Sequence, residues 1–382
     1  MVLPNADWNY PTAIRFGAGR VAELGEVCRG LGIERPLLVT DPALAKLPMV
    51  DHALAAAGAE LFCSIHSNPV GADVEAGLAA FRRGGHDGVV AFGGGSALDA
   101  GKAIAFMSGQ GRPLWDFEDK EDWWSRADPA GIAPIVAVPT TAGTGSEVGR
   151  AGVILDEAAG VKKIIFHPKM LPAVVILDPE LTLGLPPHVT AATGMDALSH
   201  CLEAYCAPGF HPMADGIAAE GMKLIRRWLP SAVEDGSDIE ARGHMLVAAS
   251  MGATAFQKGL GGMHALSHPI GAMLGTHHGL TNAVLMPYML VFNRSAVEER
   301  LARLAGYIGL PDASFEGFLA WVVELGERVG IPHLLSDLGV SEADLDRIAA
   351  MAEDDPSAGG NPLPFDSAAA RAVLEAAMAG KV

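Results

Sequence analysis

The stretch that decides the fold runs from Gly88 to Asp99 and reads GVVAFGGGSALD. Its apolar start predicts a buried β-strand, three glycines follow, and the residues from Ser96 onward open a helix. Glycines leave no side chain between backbone N–H groups and a ligand, and a helix N-terminus attracts negative charge. The segment therefore predicts a turn that binds a pyrophosphate. The alternative is a structural Gly-rich turn in which Ser96 is a plain N-cap.

The same alternation of strand and helix continues on both sides of this segment. Apolar runs predict further strands at Pro36–Thr40, Pro134–Pro139 and Ala173–Asp178. Ala-rich and Leu-rich stretches predict crossover helices at Val21–Leu31, Val50–Ala57, Val74–Arg83 and Ala97–Met107. After Leu185 strand-like runs nearly vanish. We expect a Rossmann-like α/β domain with a parallel sheet and covering helices over residues 1–185, and an all-α domain over residues 186–382.

Composition excludes several classes of protein. The 382 residues carry 27 Lys and Arg against 45 Asp and Glu, a net charge of -18, whereas a protein that follows a nucleic-acid backbone needs positive charge. No apolar run reaches the roughly 18 to 20 residues that cross a bilayer. The N-terminus lacks a signal-peptide pattern, and four cysteines do not make a disulfide framework. We expect a cytoplasmic protein without a nucleic-acid or membrane partner.

A second loop rich in glycine and hydroxyl groups follows the strand at Pro134–Pro139 and reads PTTAGTGSE over residues 139–147. Loops at the carboxyl ends of neighbouring parallel strands face one crevice, where nucleotides bind. Asp41 ends another predicted strand, where a carboxylate can bind an adenosine ribose and repel a 2′-phosphate. This position favours NAD over NADP, although an Asp-Pro turn explains Asp41 equally well.

Acidic and imidazole side chains recur at helical spacing in the second half. The positions are Asp196 and His200, His264 and His268, and then His277 and His278. Residues four apart share one helix face. A lone histidine is more often a satisfied core residue, but four histidines within fifteen positions favour a metal site. One carboxylate with several imidazoles suits Fe²⁺ or Zn²⁺ and leaves a coordination position for substrate.

Similar spacings nearby have another explanation. His211 and Asp215 are also four apart, but Pro212 marks a helix start there, so we interpret this pair as structural. Cys201 and Cys206 lie off the face of Asp196 and are expected to be buried thiols. A metal-dependent hydrolase or lyase could use the same ligands, yet it leaves the two Gly-rich loops unexplained.

Four segments together resemble the iron-containing (group III) alcohol dehydrogenase family. They are GGGSALDAGKA, PTTAGTGSEV, ATGMDALSHCLEAY and the H-x3-H-x9-H array that ends at His278. The resemblance runs from about Phe16 to Leu304 and is greatest to members that act as 4-hydroxybutyrate dehydrogenases. It implies a dehydroquinate synthase-like architecture, an NAD(H)-binding domain, a helical metal-binding domain, an active site in the cleft between them and a homo-oligomer, dimer or larger.

The resemblance also implies roles for individual residues. The metal ligands would be Asp196, His200, His264 and His278, a complete set that argues for iron with zinc as the other possibility. His268 matches a histidine that lies near nicotinamide and metal without ligating, which makes it a catalytic candidate for proton relay. The cofactor contacts would be Asp41, Asn68, Gly94, Gly95, Ser96, Asp99, Thr140, Thr141, Thr144 and Lys162.

The implied reaction is reversible hydride transfer between a primary alcohol and nicotinamide, with the metal as Lewis acid. The expected small-molecule substrate is an ω-hydroxy acid such as 4-hydroxybutyrate. Arg150 and Lys258 are cations that could hold its carboxylate. The alternative for each is a surface cation or the partner of a nearby acid. The alternative activity is a general short-chain alcohol, diol or lactaldehyde-type reductase without carboxylate preference.

Overall fold

The computed structural model describes residues 12–382, and these form two compact units. One unit, the sheet unit, comprises residues 12–141 and 145–184. The other, the helical unit, comprises residues 142–144 and 185–382. The division after residue 184 falls one residue before the predicted boundary. The three residues of the second Gly-rich loop that group with the helical unit were not predicted from the sequence.

The sheet unit is built on six parallel strands. They are β1 (Ala13–Phe16), β2 (Pro36–Val39), β3 (Glu60–Phe62), β4 (Gly88–Gly93), β5 (Ile135–Pro139) and β8 (Val174–Leu177). Their order is β1-β8-β5-β4-β2-β3, and each neighbouring pair is parallel. An antiparallel hairpin of β6 (Ala151–Asp156) and β7 (Val161–Phe166) lies outside this sheet. The four strands predicted from apolar runs are all confirmed.

Four α-helices provide the crossovers that parallel strands require. They are α1 (Leu24–Gly30), α2 (Pro48–Ala57), α3 (Gly71–Gly84) and α4 (Gly95–Met107). Leu38, Val90 and Val136 from the strands form one buried cluster with Leu24 of α1 and Val50 of α2. This arrangement confirms the predicted α/β class. The prediction was possible because strands buried on both faces have continuous apolar sequences.

Three of the four strands that the sequence did not predict lack that apolar signal, whereas β6 reads AGVILD with alternating burial and was missed despite its pattern. β1 lies at one edge of the sheet with mostly exposed residues, and β3 is a three-residue strand at the other edge. β7 reads VKKIIF and is mostly half-buried. Short or half-exposed strands carry neither a long apolar run nor a clean alternation, so pattern reasoning passes over them.

The helical unit contains eight α-helices. They are α5 (Pro187–Cys206), α6 (Pro212–Glu234), α7 (Ile239–Ala255), α8 (Gly262–Leu274), α9 (His278–Ile308), α10 (Phe315–Arg328), α11 (Leu345–Glu353) and α12 (Ser367–Ala379). Proline at the first position starts α5 and α6, where its missing N–H costs nothing. Within residues 185–382 no strand is present, as predicted. None of the helices described for residues 12–382 has the length and apolar character that crossing a membrane requires.

Candidate metal centre

Three helices of the helical unit bring four predicted metal ligands together. α5 carries Asp196 and His200, α8 carries His264, and α9 begins at His278. One ligand atom from each residue lies within 4.8 Å of the others. Three of the side chains are buried and His278 is half-buried. One carboxylate and three imidazoles facing one point form a donor set that fits Fe²⁺ or Zn²⁺.

A glycine permits the close approach of α9 to α5. A Cβ atom on Gly279 would lie 2.4 Å from the Ala192 carbonyl oxygen and 2.7 Å from Asp196 Cβ. Because both contacts are shorter than van der Waals distance, a larger residue would separate the helices. With glycine in place, His278 Nε2 lies 3.8 Å from Asp196 Oδ1. Gly279 therefore sets the distance between ligands on two helices.

Burial keeps one of the imidazoles in the form that binds metal. Burial lowers the pKa of His200 to about 4, against smaller opposing effects that include the Asp196 carboxylate. His200 is thus neutral near pH 7, and neutral imidazole is the ligand form. For His264 burial acts in the same direction, but the Glu203 and Asp196 carboxylates outweigh it and raise the pKa. A metal ion at this site would compete with a proton on His264.

Glu203 is a functional candidate that the sequence interpretation missed. Its Oε2 lies 2.6 Å from His264 Nδ1, and its carboxylate accepts hydrogen bonds from the backbone N–H groups of Gly261 at 2.9 Å and Met263 at 2.7 Å. The carboxylate fixes the proton on Nδ1, which leaves Nε2 toward the ligand cluster. It also caps the N-terminus of α8. The sequence did contain one indication of this role, because Glu203 lies three residues after the ligand His200 on the same helix.

His268 lies beside the four ligands and outside their group. Its ring stacks on that of His278, with centroids 5.4 Å apart. His268 Nδ1 lies 2.8 Å from Asp355 Oδ2. Asp355 lies between α11 and α12, in the Gly/Pro-rich stretch DDPSAGGNPLPFD over residues 354–366. The geometry leaves His268 Nε2 as the atom able to exchange a proton.

Lys258, a predicted substrate anchor, is paired with a carboxylate of the helical unit. Its side chain is 2% exposed, and its Nζ lies 2.6 Å from Asp215 Oδ1. Arg300 reaches the same oxygen at 2.7 Å. Asp215 thus partners two cations, and the alternative interpretation of Lys258 as the partner of a nearby acid is the correct one. His211 caps α6 by accepting from the Ala214 N–H, as a structural pair would.

The thiols on α5 are also structural. Burial raises the pKa of Cys201 to about 12, and burial likewise raises the pKa of Cys206 to about 12. Protonated thiols of this kind are poor ligands and poor nucleophiles. Cys201 is buried as expected, whereas Cys206 is half-buried. Neither belongs to the group of ligand atoms.

In the sheet unit the predicted pyrophosphate turn has the required backbone. β4 ends at Gly93, whose φ of +142° suits glycine alone, and Gly94 is the N-cap of α4. β5 pairs with β4 in the register Gly93 to Pro139. A Cβ on Gly94 would lie 3.5 Å from the side chain of Thr141. The two predicted loops therefore lie side by side. Ser96 is the second residue of α4 and not its N-cap. Its hydroxyl donates to the Ser67 carbonyl.

Asp99 has a different role from the predicted cofactor contact. Its carboxylate accepts hydrogen bonds from the Ser146 hydroxyl and, at 2.9 Å, from the Val153 N–H. Lys102, which is 1% exposed, lies 3.2 Å away. Burial lowers the pKa of Lys102, and the nearby Asp99 carboxylate opposes that shift. These contacts occupy Asp99 within the protein, so it positions the loop after β5 and the β6 hairpin.

The other predicted cofactor residues occupy several loops and strands. Asp41 follows β2, and its Oδ1 accepts from the N–H groups of Ala43 and Leu44, both at 2.9 Å, which is the turn-opening role. Asn68 lies between β3 and α3, Gly95 begins α4, Thr140 directly follows β5, and Lys162 lies on β7. Thr144 belongs to the helical unit. The guanidinium of Arg150 lies 5.4 Å from the ring centroid of Phe166.

Comparisons with known proteins agree with this fold and this donor set. Residues 11–179 match the family model for iron-containing alcohol dehydrogenase, and residues 190–378 match the C-terminal model of the Fe-containing alcohol dehydrogenase family. The chain belongs to the iron-containing alcohol dehydrogenase family, whose members use iron and NAD. It is an oxidoreductase, which excludes the hydrolase and lyase alternatives.

Individual members of the family are similar to this chain over nearly its whole length. The chain is 41% identical over 384 residues to a 4-hydroxybutyrate dehydrogenase of Cupriavidus necator, covering 97% of this chain and 99% of the relative. A solved 1,3-propanediol oxidoreductase superposes with a TM-score of 0.93 at 38% identity, over 97% of this chain and 99% of that one. A sulfoacetaldehyde reductase from Bifidobacterium kashiwanohense, solved with NAD⁺, superposes with a TM-score of 0.89 at 30% identity. The match covers 97% of this chain and 98% of that one.

Proposed function

We propose that this protein is an NAD-linked, iron-dependent dehydrogenase of ω-hydroxy acids, with 4-hydroxybutyrate as the best candidate substrate. The observation that carries the metal assignment is the convergence of Asp196, His200, His264 and His278 within 4.8 Å. These four residues would hold Fe²⁺, and Zn²⁺ suits the same donors. Iron(II), when bound, supplies a Lewis acid that lowers the pKa of the alcohol oxygen.

The side-by-side Gly-rich loops support the cofactor assignment. Gly94, Gly95 and Ser96 would bind the pyrophosphate at the N-terminus of α4. Thr140, Thr141 and Thr144 would line the same cofactor, with Asn68 and Lys162 as further contacts. Asp41 uses Oδ1 in its turn and would bind the ribose through its other oxygen. That the two units enclose the active site stays a prediction.

In the proposed reaction, the alcohol carbon gives a hydride to C4 of nicotinamide and the alcohol oxygen gives up its proton. His268 would accept this proton at Nε2, directly or through water, because its Nδ1 is held by Asp355. Asp355 thereby orients the ring. In the reverse direction the same nitrogen returns the proton to the oxygen of the aldehyde as the hydride leaves nicotinamide.

The substrate proposal rests on the names of two relatives and on one cation. The substrates in the names 4-hydroxybutyrate dehydrogenase and sulfoacetaldehyde reductase both carry an acid group away from the reacting carbon. Arg150 would hold such a group, since guanidinium binds carboxylate and sulfonate oxygens in pairs. Lys258, which is paired with Asp215, is left out of this role. The 1,3-propanediol oxidoreductase favours the second candidate, a general alcohol or diol dehydrogenase.

The deciding experiment is anaerobic NAD-linked oxidation of 4-hydroxybutyrate, n-butanol and 1,2-propanediol by one preparation, with iron, with zinc and after chelation. Preference for the hydroxy acid with iron would support the proposal. Equal activity on all three would favour the general dehydrogenase. Activity that resists chelation would contradict the metal assignment.

The anchor has its own test. In Arg150→Ala we expect KM for 4-hydroxybutyrate to rise at least tenfold more than KM for n-butanol, because only the acid loses an ionic contact. Lys258→Ala is the comparison variant, and it should change the two KM values alike. Equal effects of Arg150→Ala on both substrates would remove the anchor.

A further inference from the structure

Asn282 lies at the candidate metal centre without being one of its predicted ligands. It follows His278 by one turn of α9 and is fully buried. Its amide nitrogen Nδ2 lies 3.0 Å from Asp196 Oδ1, 3.3 Å from His264 Nε2 and 3.2 Å from His278 Nε2. The amide therefore faces three of the four ligand atoms. The sequence interpretation did not single out this residue.

The oxygen of the Asn282 amide makes no hydrogen bond within the described part of the chain that would stabilise the fold. Within residues 12–382, Asn282 Oδ1 is a buried atom without a hydrogen-bond partner. Such an atom destabilises the folded state, and an apolar residue of the same shape would avoid the cost. An amide held in this orientation indicates that its N–H groups serve the ligand cluster.

Only one of the three neighbours can remain an acceptor when a metal is bound. The lone pair of an imidazole nitrogen is used once that nitrogen ligates. A carboxylate has two oxygens with several lone pairs, so Asp196 can ligate and accept a hydrogen bond together. The contact of Asn282 Nδ2 with Asp196 Oδ1 is also the shortest of the three.

We propose that Asn282 is a positioning residue that donates a hydrogen bond to Asp196 and holds this carboxylate in its ligating orientation. The inference rests on the proposed metal centre. The proposal gives the centre an uncharged amide that acts on the metal site through Asp196. Glu203 orients His264 in a similar way, but as a hydrogen-bond acceptor from Nδ1 rather than as a donor.

The test measures metal affinity by competition between the protein and a chromophoric chelator for Co²⁺ and for Zn²⁺. Asn282→Leu keeps the shape and removes the donor, and Asn282→Ala, which also lacks a donor, provides a second variant should the first fold poorly. We expect both to bind each metal 10- to 100-fold more weakly, the usual effect of losing an outer contact to a ligand. Unchanged affinity in either folded variant would overturn the proposal.

Thr281→Val is the matched control. Thr281 is equally buried on the same turn, and its hydroxyl bonds to Thr276 and to the His277 carbonyl rather than to a ligand. This variant loses hydrogen bonds but should keep its metal affinity within twofold. A loss as large as that of Asn282→Leu would show a general effect of α9 and overturn the proposal.

A double-mutant cycle separates action through Asp196 from action elsewhere. In the Asp196→Asn background we expect Asn282→Leu to weaken metal binding by less than threefold. In the His278→Ala background it should keep its full effect. Equal effects in both backgrounds would contradict the proposal. A wild-type protein that binds neither metal would overturn the metal centre itself, whereas tight wild-type binding with an unchanged Asn282→Leu would overturn this inference alone.

Discussion

At the scale of single residues, the candidate site depends on side chains that hold the ligands as much as on the ligands. The spacing of Asp196 with His200 and the grouping of histidines from His264 to His278 predicted a metal site, and the family resemblance supplied the set of four ligands. Glu203, Asp355 and Asn282 were missed, because their contacts join segments that are 61 to 87 residues apart in the chain. Asp355 lies 87 residues from its partner His268 in the chain. No local pattern encodes such a contact.

Glu203→Gln tests the outer contact to His264. Glutamine keeps the size but presents an N–H group to donors, so the proton on His264 Nδ1 is no longer fixed. We expect metal affinity in a chelator competition to fall 10- to 100-fold. Glu324→Gln, on the exposed face of α10, is the control and should bind as the wild type does. Equal affinity of the two variants would remove Glu203 from the site.

His268→Ala tests the proton relay. Loss of a positioned acid or base typically costs about 10²-fold or more in rate. We expect kcat for alcohol oxidation to fall by about that factor while the iron content, measured on the same sample, stays at the wild-type level. A variant with full metal and little loss of turnover at any pH would show that the proton leaves by another route.

At the scale of secondary-structure elements, the approach of α9 to α5 determines whether the ligands can meet. Gly279→Ala places a methyl group 2.4 Å from the Ala192 carbonyl oxygen. We expect a loss of about 1–3 kcal/mol in the free energy of unfolding, measured by urea titration, because the helices must move apart.

The same variant should also bind metal more weakly, since Asp196 and His278 lie on the two displaced helices. Gly216→Ala is the matched control in α6, where an added Cβ meets no atom within 4 Å. Alanine there should stabilise the helix by about 0.5–1 kcal/mol. If Gly279→Ala were as stable as Gly216→Ala, the close approach would not limit the site.

The elements themselves were predictable to different degrees. Strands buried on both faces, such as β4 and β5, have continuous apolar runs that separate them from helices. The edge strands β1 and β3 gain their pairing from a neighbouring strand rather than from their own sequence. The turn after β4 was predicted correctly because glycines at a strand end leave few alternatives. The contacts of Asp99 were not predicted, because a carboxylate near the start of a helix can accept hydrogen bonds from a ligand or from a neighbouring loop equally well.

At the scale of the whole molecule, the ligands come from α5, α8 and α9, so a bound metal ion cross-links three helices. Binding to the folded state alone stabilises it, by about 2.7 kcal/mol when free metal is at 100 times Kd. For a unit of this size that corresponds to roughly 5–10 °C in melting temperature. We expect chelation to lower the melting temperature by that amount and iron to restore it.

Hydrogen exchange can locate this stabilisation. The amides of Gly261 and Met263 donate to Glu203, which in turn holds His264. These amides should exchange more slowly in the metal-loaded protein, whereas amides of β2 in the sheet unit serve as the internal reference. An identical melting temperature and identical exchange with and without metal would contradict the metal centre.

The burial of the thiols has a practical consequence for labelling experiments. Alkylating reagents attack the thiolate, and burial raises the pKa of Cys28 to about 11 and that of Cys201 and Cys206 to about 12. Cys28 and Cys201 are also buried and should stay unmodified near neutral pH while the protein is folded, and the half-buried Cys206 should react slowly because its pKa is raised. Cys63, half-buried directly after β3, is then the position that a maleimide dye reaches first. The chain thus offers a preferred attachment point for a fluorophore on its sheet unit, and only the half-buried Cys206 need be removed to make the labelling unique.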